Sequence, residues 1–391
     1  MLRLIFITGL LFFLGFTKAQ KKEKLKLKDK FSIEGYIKYM NSSSIMSLDS
    51  IIGDNLIHNR IKINAFISDK ITARVEMRNR VFYGEATRLN PSLGALLAQD
   101  NGQVDLSIVP LDKNAIVIHS ILDRAYVKYM AKKWELRIGR QRINWGVNLA
   151  WNPNDLFNAY SLIDFDYQER PGADALRFQY YTSDLSSLEL AIQPGKKIDS
   201  SIIAGLWKFN KWKYDLQLLA GNYYTDLALG AGWAGNLRKS GLKGELTYFH
   251  PKENLVDTNG ILSSSITIDY SFKNGIYINN SILFNSNGIG SINSNGNPFQ
   301  SFFYELSPKS LMPSKFTCFS QVSGNFNPSL NASFSAFYMF GLDVLLVMPS
   351  INYAIAENWE IMLLSQTAAG KNNGQATSLG TGLFLRLMAN F

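Results

Sequence analysis

One cysteine in 391 residues, Cys318, excludes any internal disulfide. The three histidines, His58, His119 and His250, include no pair at metal-ligand spacing. No Gly-x-Ser-x-Gly elbow, nucleotide-binding loop or zinc pattern occurs, so no catalytic residue, cofactor or metal is assigned. An enzymatic barrel would need a nucleophile and a base on facing wall positions, and nothing in the spacing points to such a pair. Beyond the first twenty residues, no apolar run reaches the roughly 20 residues of a spanning helix. Hydropathy alone would therefore read the chain as soluble, which is how it also misreads membrane barrels.

The one long apolar run lies at the start. Arg3, the stretch Leu4 to Phe16, and Thr17-Lys18-Ala19 follow the order of a secretory signal, which assigns residues 1–19 to a removed leader. An uncleaved anchor is the rival, but the run is short for a spanning helix. The net charge of +9 is concentrated near this end. Arg3 and Lys18 carry two of those charges. Residues 20–30 hold six lysines against Glu23 and Asp29, a further four. About three remain for the rest, so the basic balance does not imply nucleic-acid binding, and 20–30 reads as a solvated periplasmic lead-in.

Residues 31–391 alternate. The clearest stretch is the hairpin from Arg60 to Gly84. Ile61, Ile63, Ala65 and Ile67, then Ile71, Ala73, Val75 and Met77, are apolar. Arg60, Lys62 and Asn64, then Thr72, Arg74, Glu76, Arg78 and Arg80, are polar. A period of two places the two sets on opposite faces of a strand. The same rhythm recurs in Phe31–Tyr39, in Arg124–Tyr129 and Trp134–Gly139, and on to the last strand, Leu379–Phe391. Asn41 to about Asn55 reads as a polar loop. Asn274-Gly275 is the strongest hairpin signal. Short connections (Ser68–Lys70, Ala131–Lys133, Asn210–Lys211, Leu237–Ser240, Lys273–Gly275, Asn325–Ser329, Ala356–Asn358) alternate with long ones.

The expectation is an all-β, transmembrane, antiparallel up-and-down barrel of about 16–18 strands, with short periplasmic turns, long outer loops and an aqueous interior. Apolar faces would meet outer-membrane lipid. The expected pore lining is Arg60, Lys62, Arg74, Glu76, Arg78, Arg80, Arg124, Lys128, Arg137 and Arg177, with Glu135, Glu245 and Arg386 on the same face. Basic rings favour anions. In a wide wet pore the charges are screened within about 8–10 Å, so the expected bias is moderate. Arg78→Ala with Arg80→Ala is expected to weaken it.

The most distinctive stretch contains Gly139-Arg140-Gln141, Trp145-Gly146, Asn152-Pro153-Asn154-Asp155 and Arg170-Pro171-Gly172. It resembles a motif of porin-like outer-membrane barrels of Gram-negative bacteria whose substrates are mostly unassigned. The final strand, with Leu383, Leu385, Leu387, Ala389 and Phe391 on one face, resembles the signal read by the barrel-assembly machinery. The resemblance implies an inward-folded third loop, 146–171, that narrows the pore. Its candidate residues are Trp145, Trp151, Asp155, Asp164, Asp166 and Glu169, facing Arg74, Arg78 and Arg80. The rival is that Arg140, Arg142 and Arg170 pair with those carboxylates and pin the loop. A calcium site from Asp164, Asp166 and Glu169 is the weakest alternative. The functional expectation is passive diffusion of small hydrophilic, preferentially anionic solutes. The alternative is a non-conducting barrel that scaffolds an outer-membrane assembly. Solute identity and oligomeric state are not encoded in any readable pattern.

Overall fold

The computed structural model describes residues 30–391 except 48–49, 101, 167–168, 254–257, 292–305 and 373–374. The expected signal and residues 20–29 of the expected lead-in lie outside the described residues. The strands are β1 (Phe31–Ser47), β2 (Ser50–Phe66), β3 (Ile71–Gly84), β4 (Ser107–Lys113), β5 (Ile116–Met130), β6 (Trp134–Gln141), β7 (Ala173–Ser183), β8 (Ser186–Gln193), β9 (Ile202–Lys211) and β10 (Tyr214–Tyr223). They continue with β11 (Asp226–Leu237), β12 (Ser240–Pro251), β13 (Ile261–Ser271), β14 (Ile276–Asn285), β15 (Phe316–Asn327), β16 (Leu330–Phe340), β17 (Val344–Ala356), β18 (Trp359–Asn372) and β19 (Gln375–Asn390). Two short helices, α1 (Glu85–Leu89) and α2 (Leu93–Leu97), lie between β3 and β4.

All nineteen strands form one sheet. β4 pairs only with β5, beside the part of β5 that extends past β6. The other eighteen pair antiparallel with their neighbours, and β1 closes the ring on β19 from Tyr36↔Asn390 to Ile45↔Thr381. Closure removes both edges of the eighteen-strand ring, and β4 keeps one edge unpaired outside it among the described residues.

The alternation has the expected physical outcome. On β2, Leu56, His58 and Arg60 are buried while Ile57 and Ile63 are exposed. Ile138, Leu176, Phe178, Leu188, Leu190, Leu218, Ile266, Ile282, Phe334, Ile351, Leu363 and Leu385 are exposed on strands right round the ring. So wide an apolar surface suits lipid, not water.

Tight turns gather at the end where β1 starts and β19 stops. At the other end the connections at 85–106, 142–172, 194–201, 252–260 and 286–315 are long, and those at 224–225 and 341–343 are tight. Two local expectations change. Residues 41–47 and 50–55 of the expected polar loop are instead ladder on β1 and β2, with Asn41↔Asn55 in register and a register shift between Ile45 and Ser47. Asn41 Nδ2 and the Tyr39 hydroxyl both donate to Asn55 Oδ1, at 3.0 and 2.7 Å. The ladder needs backbone partners only, so a polar stretch can extend a strand beyond its apolar band. The turn expected at Asn210–Lys211 lies at Trp212-Lys213, both with positive φ (56° and 66°). That is the conformation of a tight type I′ hairpin turn, here without the glycine that would announce it.

The seam of the ring depends on Gly35. Its backbone exchanges hydrogen bonds with Phe391, at 2.9 and 3.0 Å. A Cβ there would lie 2.6 Å from Cζ of Phe391 and press on the Arg60 carbonyl. Gly35→Val is therefore expected to remove most of the heat-modifiable folded species on semi-native gels. An unchanged folded fraction would contradict this account of closure.

Candidate functional site

The site begins with a bulge. Glu76 pairs with Arg124 across β3 and β5, but Met77 pairs with Leu122, so Asp123 is the extra residue. Consecutive side chains therefore both turn away from solvent, with Asp123 3% and Arg124 5% exposed. Asp123 and Glu76 receive Arg60, whose guanidinium is fully buried. Nη1 donates to Asp123 at 2.5 Å, and Nη2 and Nε donate to Glu76 at 2.6 and 3.0 Å. Arg78 lies 3.2 Å from Asp123 and Arg74 lies 2.5 Å from Glu76. Arg80 donates to the His119 ring. Arg177 pairs with Glu189 at 2.6 Å and Arg137 with Glu135 at 2.7 Å. Lys128 sits opposite Arg137 on β5. The wall is thus a lattice of ion pairs with an excess of cations. A buried arginine such as Arg60 is tolerable only because its donors are met.

The connection 142–172 touches the ring strand by strand as it advances. The Trp145 indole N–H donates to Glu189 on β8, and Gln217 of β10 donates to the Trp145 carbonyl at 2.7 Å. Glu245 of β12 accepts from the backbone N–H groups of Val147, Asn148 (2.6 Å) and Asn154 (3.0 Å). Asn154 also donates to the Ala231 carbonyl on β11 and accepts from Thr247. Ser265 of β13 donates to the Trp151 carbonyl, and the Trp151 ring meets Phe319 and Phe337 of β15 and β16 edge-on. Gln366 of β18 donates to the Ile163 carbonyl, and Phe165 packs on Phe384 of β19. Lys38 of β1 lies 2.7 Å from Asp166, which also meets His58, and Arg386 lies 4.0 Å away. Glu169 meets Tyr36, Arg60 and Lys62, and Arg124 of β5 holds the Glu169 and Arg170 carbonyls at 2.8 and 2.6 Å.

Burial of this segment is apolar as well as polar. Ile143, Trp145, Leu156 and Phe157 pack with small residues of β8 to β11, among them Ala191, Ala204 and Ala228. Trp151 packs with Phe319, Phe337, Met348 and Leu364. The glycine- and alanine-rich strand β11 makes room: a Cβ on Gly230 would lie 2.7 Å from Asn154 Oδ1. The interior is therefore not uniformly wet, because the segment supplies apolar surface for inward side chains to cover.

The loop acids do not meet the arginines expected of them. Asp166 and Glu169 take Lys38, Arg60, Lys62 and Arg386, whereas Arg74, Arg78 and Arg80 pair within the wall. Arg140 pairs with Asp174 and Asp100, at 2.8 and 2.7 Å, and Arg170 stacks on Tyr160. Asp164 is exposed. With Asp166 facing an ammonium and Glu169 facing cations of β2, these carboxylates are committed to wall charges rather than to one another. Lys38, His58, Asp123 and Glu189 were not singled out from sequence. Adjacent charges at Asp123-Arg124, which break the alternation, are the signal that could have found the bulge.

Asp155 is fully buried, and neither carboxylate oxygen accepts a hydrogen bond of ordinary geometry among the described residues. Burial pushes its pKa up to about 7, against the pull of Arg170 and Arg142. Asp166 moves the other way: the hydrogen bond from His58 and the Lys38 ammonium outweigh burial and hold it below the usual carboxylate range. A raised folded-state pKa means the folded chain binds more protons than the unfolded one between about pH 4 and 7, so the Asp155 contribution falls as pH rises through that window. Asp166 gives the opposite slope, lost as pH falls through its depressed folded value. Asp155→Asn removes the first slope alone. It is expected to raise the melting temperature in detergent at pH 8 and leave it nearly unchanged at pH 4. A variant no more stable than wild type at pH 8 would contradict this.

Inside the ring, beside the ion-pair lattice, open space of about 270 Å³ is lined by Lys62, Arg74, Arg124, Arg137 and Arg142, with Glu76, Glu169 and Tyr126. Five cations face two carboxylates there. No family model and no curated protein sequence matches the chain. Solved structures do. OccAB4 of Acinetobacter baumannii superposes with a TM-score of 0.55 at 12% identity, over 94% of this chain and 100% of that one. OccK11 (OpdR) of Pseudomonas aeruginosa gives 0.56 at 10% identity, over 96% and 100%. The outer membrane protein opdK of P. aeruginosa gives 0.55 at 8%, over 92% and 98%. This chain has their fold. The Occ/Opd-like barrel accounts for nearly all its described length. At such identities the likeness concerns architecture, and the residues that decide selectivity must be read from this chain.

Proposed function

We propose that the protein is an outer-membrane channel for passive diffusion of small hydrophilic solutes, with a moderate preference for anions. One observation carries this reading: a closed ring contains a connection that follows its inner wall strand by strand, and beside it the remaining space is lined by an excess of cations. The architecture is shared with proteins whose names place one of them in the outer membrane. In this reading the exposed apolar girdle meets outer-membrane lipid, and the connection 146–171 is the constriction. Trp145 and Trp151 fix it to the wall, and Asp166 and Glu169 close it on β1 and β2. Lys62, Arg74, Arg124 and Arg137, with Lys128 and Arg177 nearby, bias the passing ions. Arg60, Glu76, Arg78 and Arg80 hold the wall itself. No chemical step is involved. The C-terminal strand, which closes the ring, would be the part that the barrel-assembly machinery engages.

Liposome swelling with neutral, acidic and basic solutes of matched size tests the reading. It expects swelling that falls with solute size and is fastest for acidic solutes. Proteoliposomes that swell no faster than empty ones would favour the scaffold reading.

A further inference from the structure

On β15 to β19, across β1 from the cationic wall, lies a second chamber of about 510 Å³. Its polar lining on β15 to β17 is uncharged: Gln321, Asn331, Ser333, Ser335, Ser350 and Asn352. Its open apolar surface comes from Leu162 and Phe165 of the connection, with the buried Phe319, Phe337 and Met362 behind. The charged residues that line it, Glu360 and Arg386, pair with each other at 2.9 Å. Arg386 is 3% exposed, yet its Nε and Nη1 donate to no described residue.

We propose that this chamber is a binding subsite for a neutral sugar. The proposal rests on the channel reading and names a solute class for it. The chemistry of the lining selects the occupant. Amides and hydroxyls each donate and accept, as sugar hydroxyls do. The Phe165 ring and the Leu162 side chain offer apolar surface to the C–H faces of a pyranose, which an ion lacks. A small anion finds the only guanidinium of the lining already matched by Glu360, and an amine finds that carboxylate already matched by Arg386. The Arg386 Nε and Nη1 atoms are buried away from the open space, so the amides and hydroxyls carry the recognition. The volume falls within the range of about 300–1,000 Å³ typical of small-molecule sites.

Equilibrium dialysis of the detergent-solubilised full chain against radiolabelled maltotriose tests the subsite without relying on conduction. Saturable retention is expected, displaced by unlabelled maltotriose and not by acetate. Gln321→Leu with Asn352→Leu removes two amides and should raise the half-saturation concentration about tenfold or more. Heat-modifiable migration checks that this variant is folded. If it is not, Ser333→Ala with Ser350→Ala serves, with a smaller shift in the same direction. No saturable retention, or retention unchanged in a folded variant, overturns the proposal. Unitary conductance measured in parallel separates the two claims: conduction without retention sinks only the subsite, and retention without conduction sinks the channel.

Discussion

Glu245→Ala should convert a steady narrow conductance into a flickering one with wider levels. Glu245 is fully buried, and three backbone N–H groups of the connection converge on it, those of Val147, Asn148 and Asn154. Hydrogen bonds to a charged acceptor contribute about 1.5–3 kcal/mol each, and removing the acceptor leaves the donors buried and unmet. A loss of about 3 kcal/mol or more shifts the closed arrangement by at least roughly a hundredfold. Trp145 and Trp151 remain packed, so the expected motion is local to 146–150 and to 152–155. The ring ladder is untouched, and the variant should still migrate as a folded barrel. Single-channel recording checks this. A folded variant with the steady wild-type level would show that Glu245 does not hold the constriction.

Arg74→Gln with Arg137→Gln should lower the anion-to-cation permeability ratio by about twofold, read from reversal potentials in a salt gradient. Both side chains line the cationic space, and the substitutions leave three cations facing two carboxylates there. The carboxylates they pair with keep other partners: Glu76 retains Arg60, and Glu135 retains Arg177 at 3.8 Å. Selectivity should therefore change with little cost to folding. The pair expected from sequence to matter, Arg78 and Arg80, is committed to Asp123 and His119. Its replacement should lower stability more than it moves the reversal potential. Unchanged potentials in the Arg74/Arg137 variant, or a larger shift in the Arg78/Arg80 variant, would reverse this assignment.

The hairpin Arg60–Gly84 shows what the sequence discloses. Its alternation placed Arg60, Glu76 and Arg78 on the inner face, and they pair there. Inward and outward positions differ in polarity because lipid and interior differ as solvents, so periodicity can be read directly. Partners cannot. Glu169 reaches Lys62 across more than a hundred residues, and no local pattern encodes which strand an inward segment will meet. Bulges are hidden for a related reason: one extra residue at Asp123 turns two adjacent charges inward, and alternation has no term for it. The interior of β14 to β18 was the other surprise. Phe319, Phe337, Met348 and Leu364 face inward because Trp151 and its neighbours cover them, so a wall expected to be polar carries apolar residues where Trp151 docks. Strand limits failed where the apolar band ends, as at 41–55.

Planar-bilayer recording of the purified wild-type chain tests the central claim most directly, a closed ring with a narrowed but open interior. The account predicts discrete unitary steps, smaller than those of a variant lacking 146–171, with a reversal potential on the anion side. A folded, inserted barrel that gives no steps while the shortened variant conducts would mean that the connection seals the ring.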